Sequence, residues 1–135
     1  MPLLTWSSKY SVGVKALDDQ HASFIAILNE LHAAMLKGQA QDITGPMLNK
    51  LMDYTREHFA TEERLMESTK YPGLADQRVK HREFTGKIED YVSRFKRGEG
   101  GLYLELLKFA RDWITEHMQT VDKRYTAWMN ERGVH

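Results

Sequence analysis

The sequence predicts an all-α protein, an up-down-up-down four-helix bundle preceded by a non-helical arm. Three observations carry this reading. Apolar residues recur at steps of three and four in four separate stretches. Most glycines and prolines punctuate those stretches. No comparable alternating strand pattern occurs, and the short connections favour antiparallel neighbours.

The arm, residues 1–17, carries Trp6, Tyr10, Val12 and Val14 and is expected to pack on the bundle. The first helix is predicted over about 18–37, on a stripe of Leu17, His21, Phe24, Leu28, Leu31 and Met35, with Gly38 as its stop. The second is predicted over 42–68, on Leu48, Leu51, Thr55, His58, Glu62 and Leu65. It places Pro46 in the first turn, where a missing N–H costs little. Tyr71-Pro72-Gly73 reads as a turn. The third helix, 74–97, follows Leu74, Gln77, His81, Phe84, Ile88, Tyr91 and Phe95, and Arg94, Lys96 and Arg97 suit its negative end. The fourth, 102–132, follows Leu106, Ala110, Trp113, His117, Val121, Tyr125 and Trp128. Met47, Met52 and Met66 read as core filler.

A chain of 135 residues suits one domain, 1–135. Nineteen basic and nineteen acidic residues cancel, so no electrostatic footprint for nucleic acid or anionic lipid is present. Cysteine is absent, which removes disulfides, thiolate metal sites and cysteine nucleophiles together. Any metal must be held by His, Asp or Glu. The N-terminal residues lack the pattern of a signal peptide, and the apolar run 24–28 is too short to span a bilayer. The expectation is a cytoplasmic protein with no membrane insertion.

The informative feature is polar residues on apolar stripes. His21, His58, Glu62, His81 and His117 occupy positions where core residues are expected, on all four helices. Burying an ionisable group costs several kcal/mol unless it is paired or metal-bound. Taken singly, a buried histidine is more often a hydrogen-bonded core residue. The His58/Glu62 pair alone reads equally well as a surface helix pair. Together, one bundle cross-section satisfies them all, as in di-metal bundles. His32 and His135 lack such partners; His32 is expected to be partly exposed and His135 to belong to the tail. His117 and Asp122 are five apart, which predicts a local π-type widening if both reach one site.

The ordered set of motifs resembles the hemerythrin family, in particular its single-domain bacterial members. The resemblance covers nearly the whole chain. It rests on Trp6, Val12-Gly13-Val14, Asp18-Asp19-Gln20-His21, His58-Phe59 with Glu62-Glu63 and Met66, Tyr71-Pro72, His81, Trp113-Ile114, His117 and Asp122-Lys123 with Tyr125. It implies two non-heme iron ions bridged by Glu62, Asp122 and an oxo or hydroxo group. His21 and His58 would hold the iron with the open position, and His81 and His117 the other. It implies reversible dioxygen binding for transport, storage or delivery, by a monomer that is not an enzyme. Imidazole and carboxylate suit iron. Phe24, Phe59, Phe84, Trp113 and Ile114 are the residues expected to keep the pocket dry.

One position departs from the family pattern. The third helix should read His-x-x-x-His, and here Gln77 stands in place of the first histidine. His32 cannot replace it, lying eleven residues from His21, roughly 16 Å along the helix. Three outcomes are compatible with the sequence. Gln77 ligates through its amide oxygen, it hydrogen-bonds a water that completes the shell, or the iron it serves is lost. The alternative function is a di-iron enzyme or detoxifying protein acting on peroxide, nitric oxide or dioxygen, made more reactive by Gln77. The histidine-rich shell favours binding over oxidation, because di-iron oxygenases use more carboxylates and paired Glu-x-x-His motifs.

Overall fold

A computed structural model describes Ser7 and residues 10–135, with backbone alone for 118–122. The start of the arm, with Trp6, lies outside the described residues. Among these residues the chain is helical without strands, in the order α1 (Lys15–Leu36), α2 (Ala40–Ser68), α3 (Leu74–Lys96), α4 (Leu102–Trp113), a π-helix (Ile114–Val121), a 3-10 turn (Asp122–Tyr125) and α5 (Thr126–Glu131). α1 packs on α2 and α4, and α3 packs on the same two helices. This closes the four-helix bundle.

α1 begins three residues before the periodicity suggests. Its first turn is Lys15 and Ala16, both exposed, and so carries no apolar signal. Asp18 is instead the anchor of the arm. Its carboxylate accepts the Val12 N–H at 2.8 Å and the Ser11 hydroxyl at 2.6 Å. Tyr10, Val12 and Val14 are buried as expected. Gly13 sits at φ +72°, and a Cβ there would lie 2.8 Å from Thr126 Cγ2. The close docking of the arm on α5 therefore requires glycine.

α1 stops where Gly38 takes φ +70° and the next N–H, of Gln39, returns to the Ala34 carbonyl at 2.7 Å. α2 also begins earlier than predicted, at Ala40. Pro46 therefore lies in the second helical turn rather than the first. It is exposed, as is Asp42, whose carbonyl lacks the N–H that a proline cannot supply. The fourth expected helix is not one α-helix. It changes to π geometry at Ile114, tightens to 3-10 at Asp122 and resumes as α5.

The interior has three layers. One apolar cluster contains Phe24, Leu28, Leu48, Leu51, Phe84, Ile88, Leu106 and Ile114. A second, smaller cluster contains Val12, Val14, Leu17, Met66, Tyr125 and Met129. Every helix crosses from one cluster to the other through a polar position. Those positions are His21, His58 with Glu62, Gln77 with His81, and His117, and all are buried. Met47 and Met66 fill the core and Met52 is half-buried; His32 is half-buried and His135 exposed. No helix among the described residues is long and apolar enough to cross a membrane.

Candidate metal centre

Helical spacing brings the polar side chains to one level. His58 and Glu62 are one turn apart on α2, and Gln77 and His81 are one turn apart on α3, so each pair shares a face. His21 follows Leu17 by one turn on α1. His117 follows Trp113 by four residues, within the first half of the π-helix.

The structure brings His21, His58 and Glu62 together most closely. One ligand atom from each lies within 4.8 Å of the others. His21 Nε2 is 3.1 Å from His58 Nε2, and His58 Nε2 is 2.6 Å from Glu62 Oε1. Ligand atoms about 2.1 Å from one metal and at right angles are about 3 Å apart, so these spacings are those of a coordination shell. The same Glu62 Oε1 lies 3.7 Å from His81 Nε2. Glu62 thus stands between the α1/α2 imidazoles and α3. His117 is further out, its ring 5.8 Å from that of His81 between centroids.

The outer nitrogens fix the tautomers. His58 Nδ1 lies 2.7 Å from the amide oxygen of Gln20. That oxygen only accepts, so Nδ1 carries the proton and donates it. Gln20 is itself oriented by donating its amide to Thr61 Oγ1 at 3.2 Å. In the same way His81 Nδ1 donates to Glu63 Oε2 at 3.0 Å. Both rings therefore turn Nε2 inward, the arrangement of metal-ligating histidines. At His58 that nitrogen meets Oε1 of Glu62 at 2.6 Å. Such a donor set calls for a cation between its members. A proton relieves one contact, whereas a metal ion engages the whole set, so the residues fit a metal.

Gln20, Glu63 and Tyr125 were not assigned roles from the sequence. Tyr125 donates its hydroxyl to Glu62 Oε2 at 2.9 Å, orienting the carboxylate from the opposite side to the histidines. Gln20 and Glu63 adjoin His21 and Glu62 in the chain. A polar neighbour of a ligand was the available signal, but it does not reveal which histidine is served.

Aromatic rings wall the layer on the side of the larger cluster. Phe59 lies parallel to His81 at 3.8 Å and 1°. Trp113 stacks on His117 at 3.9 Å and 14°. Phe84 meets Trp113, Phe59 and Phe24 within 4.5 to 6.1 Å. Ile114 is fully buried in the same cluster. Tyr54, which the stripe pattern did not single out, stacks on His58 at 5.1 Å. A groove between α2 and α3 reaches Phe59, Glu63 and His81, and another beside Gln20 and Tyr54 reaches His58.

The π-helix spans residues 114–121, where the His117–Asp122 spacing predicts a widening. The Asp122 side chain lies outside the described residues. Gln77 is 2% exposed, level with the histidines.

Fold and site together define a four-helix bundle whose interior presents a histidine and carboxylate cluster suited to a cation. A family profile described as the hemerythrin HHE cation binding domain matches residues 12–129. The chain belongs to the hemerythrin family. It is similar to a bacteriohemerythrin of Stenotrophomonas maltophilia, 34% identical over 125 residues, covering 93% of this chain and 80% of the relative. A bacteriohemerythrin of Methylococcus capsulatus is 32% identical, with 93% and 95% covered. The myohemerythrin of Sipunculus nudus is 27% identical, with 89% and 88% covered. A crystal structure of wild-type hemerythrin matches with a TM-score of 0.86 at 30% identity, covering 94% of this chain and 98% of that one.

Proposed function

We propose that this protein binds dioxygen reversibly at a non-heme di-iron centre in the polar layer of the bundle. The observation that supports it most directly is the convergence of His21, His58 and Glu62, with Glu62 Oε1 also turned toward His81. In this reading His21 and His58 would hold one iron and His81 and His117 the other, with Glu62 and Asp122 as the carboxylates that would serve both. Gln77 occupies the remaining α3 position. The iron pair supplies a binding position and reducing equivalents for dioxygen.

The protein's own groups do the rest. Gln20 and Glu63 hold their imidazoles with Nε2 inward. Tyr125 holds Glu62 in the orientation that serves both sides. Phe24, Phe59, Phe84, Trp113 and Ile114 exclude water, which disfavours loss of a charged oxygen species and irreversible oxidation. The role is that of a carrier or store rather than an enzyme. Gln77 is the specific observation in favour of a weak side reactivity toward peroxide or nitric oxide, because an amide leaves its metal less saturated than an imidazole. We further propose that the chain is one domain over 1–135 and acts as a cytoplasmic monomer.

Iron counting with visible spectroscopy through cycles of deoxygenation and air tests this reading. Two irons per chain and a reversible charge-transfer band are expected. Folded protein that takes up no iron, or a band that bleaches irreversibly in one cycle, overturns it.

A further inference from the structure

The two outer hydrogen bonds differ in kind. His58 is backed by the neutral amide of Gln20 at 2.7 Å, whereas His81 is backed by the carboxylate of Glu63 at 3.0 Å. The carboxylate stands on the side of the site where an imidazole is missing, since Gln77 lies one turn from His81 on the same buried face. We propose that Glu63 is a positioning residue that strengthens His81 as a metal ligand, and that the site depends on it more heavily because position 77 offers no imidazole. The proposal rests on the di-iron reading above.

Several features make Glu63 effective in this role. Its side chain is 27% exposed, so its field at His81 is screened less than that of a surface carboxylate. Its other oxygen accepts the Arg78 Nε at 3.1 Å, which fixes the carboxylate against rotation. Arg78 is 42% exposed and also reaches Glu67, so it orients Glu63 more than it neutralises it. Phe59 lies flat on the His81 ring and holds its plane. A carboxylate accepting the Nδ1 hydrogen draws that proton outward and enriches the Nε2 lone pair, raising the basicity of the ligand. An amide acceptor does this weakly. The histidine on the poorer side therefore receives the stronger support.

Cobalt(II) titration of the iron-free protein, read by the visible ligand-field bands and by stoichiometry, tests the idea without any oxygen chemistry. The unaltered protein is expected to take two equivalents. Glu63→Gln keeps the shape and removes the charge. It is expected to weaken the second equivalent by about tenfold to hundredfold and to shift its band, with the first unchanged. In a Gln77→His background the same substitution is expected to cost less than about threefold, because the shell is then complete. Unchanged second-equivalent binding and spectrum in Glu63→Gln would overturn the proposal while leaving the di-iron reading intact. Equal losses in both backgrounds would also overturn it, reducing Glu63 to a purely structural contact. Failure of the unaltered protein to take two equivalents removes the di-metal reading and this proposal with it. Should Glu63→Gln lose its helical circular dichroism, Gln20→Glu carries the same test with opposite sign. A carboxylate behind His58 is expected to tighten the first equivalent by about tenfold, and no tightening overturns the proposal.

Discussion

Tyr125 donates its hydroxyl to Glu62 Oε2 at 2.9 Å, joining residues 63 positions apart in the chain. The other oxygen of that carboxylate faces His58 and His81. One side chain is thus oriented from the small apolar cluster and presented to the imidazoles beyond it. Tyr125 is fully buried. Tyr125→Phe keeps the packing and removes the donor. It is expected to lower the unfolding free energy of the iron-free protein by about 1 kcal/mol, the scale of a buried hydrogen bond. Urea denaturation followed by circular dichroism measures this, and a loss under about 0.5 kcal/mol would show that the contact contributes little.

Gln77 sets the second prediction. Gln77→His places an imidazole on the buried α3 face one turn before His81. Autoxidation in air, followed by visible absorbance, is expected to be slower than in the unaltered protein, because no weakly held position remains open. Equal rates in the two proteins would show that Gln77 does not govern the reactivity of the site.

The π segment makes a third prediction, of dynamics. Wider turns have poorer hydrogen-bond geometry, so amides of 114–121 are expected to exchange with deuterium faster than those of α1 in the iron-free protein. Iron binding to His117 should slow them. Exchange in this segment that is insensitive to iron would argue against ligation from the fourth helix.

Tyr91 provides a control far from the histidines. Burial, and then the Glu105 carboxylate, hold its phenol above the ordinary value, against the opposing pull of Arg94. The folded protein therefore keeps this proton at a pH where the unfolded chain has released it. Stability from Tyr91 is complete below the ordinary phenol pKa and declines as pH rises through the folded one. Unfolding midpoints are expected to fall above about pH 10 and to fall less in Tyr91→Phe. Identical pH dependence in the two proteins would rule out Tyr91 as the source.

Much of this architecture was legible because it repeats. The steps of three and four that put Leu17, His21 and Phe24 on one face also put Thr55, His58 and Glu62 on another. Helix ends were less legible. Lys15 and Ala16 extend α1 without an apolar mark, and α2 begins at Ala40, leaving Pro46 inside the helix. A short exposed turn carries no hydrophobic signal, so periodicity starts at the first buried residue.

Spacing alone was enough to read the bundle, the inward histidines, Glu62 and the widened turn near His117. Each follows from local spacing, since the period of a helix decides which residues share a face. The tertiary structure alone decided which nitrogen each ring presents. The Gln20 amide from α1 sets the tautomer of His58 on α2, and Glu63 from α2 sets that of His81 on α3. It also paired Glu62 with Tyr125. Those choices depend on contacts between helices, and one-dimensional spacing does not record how two helices are rotated against each other.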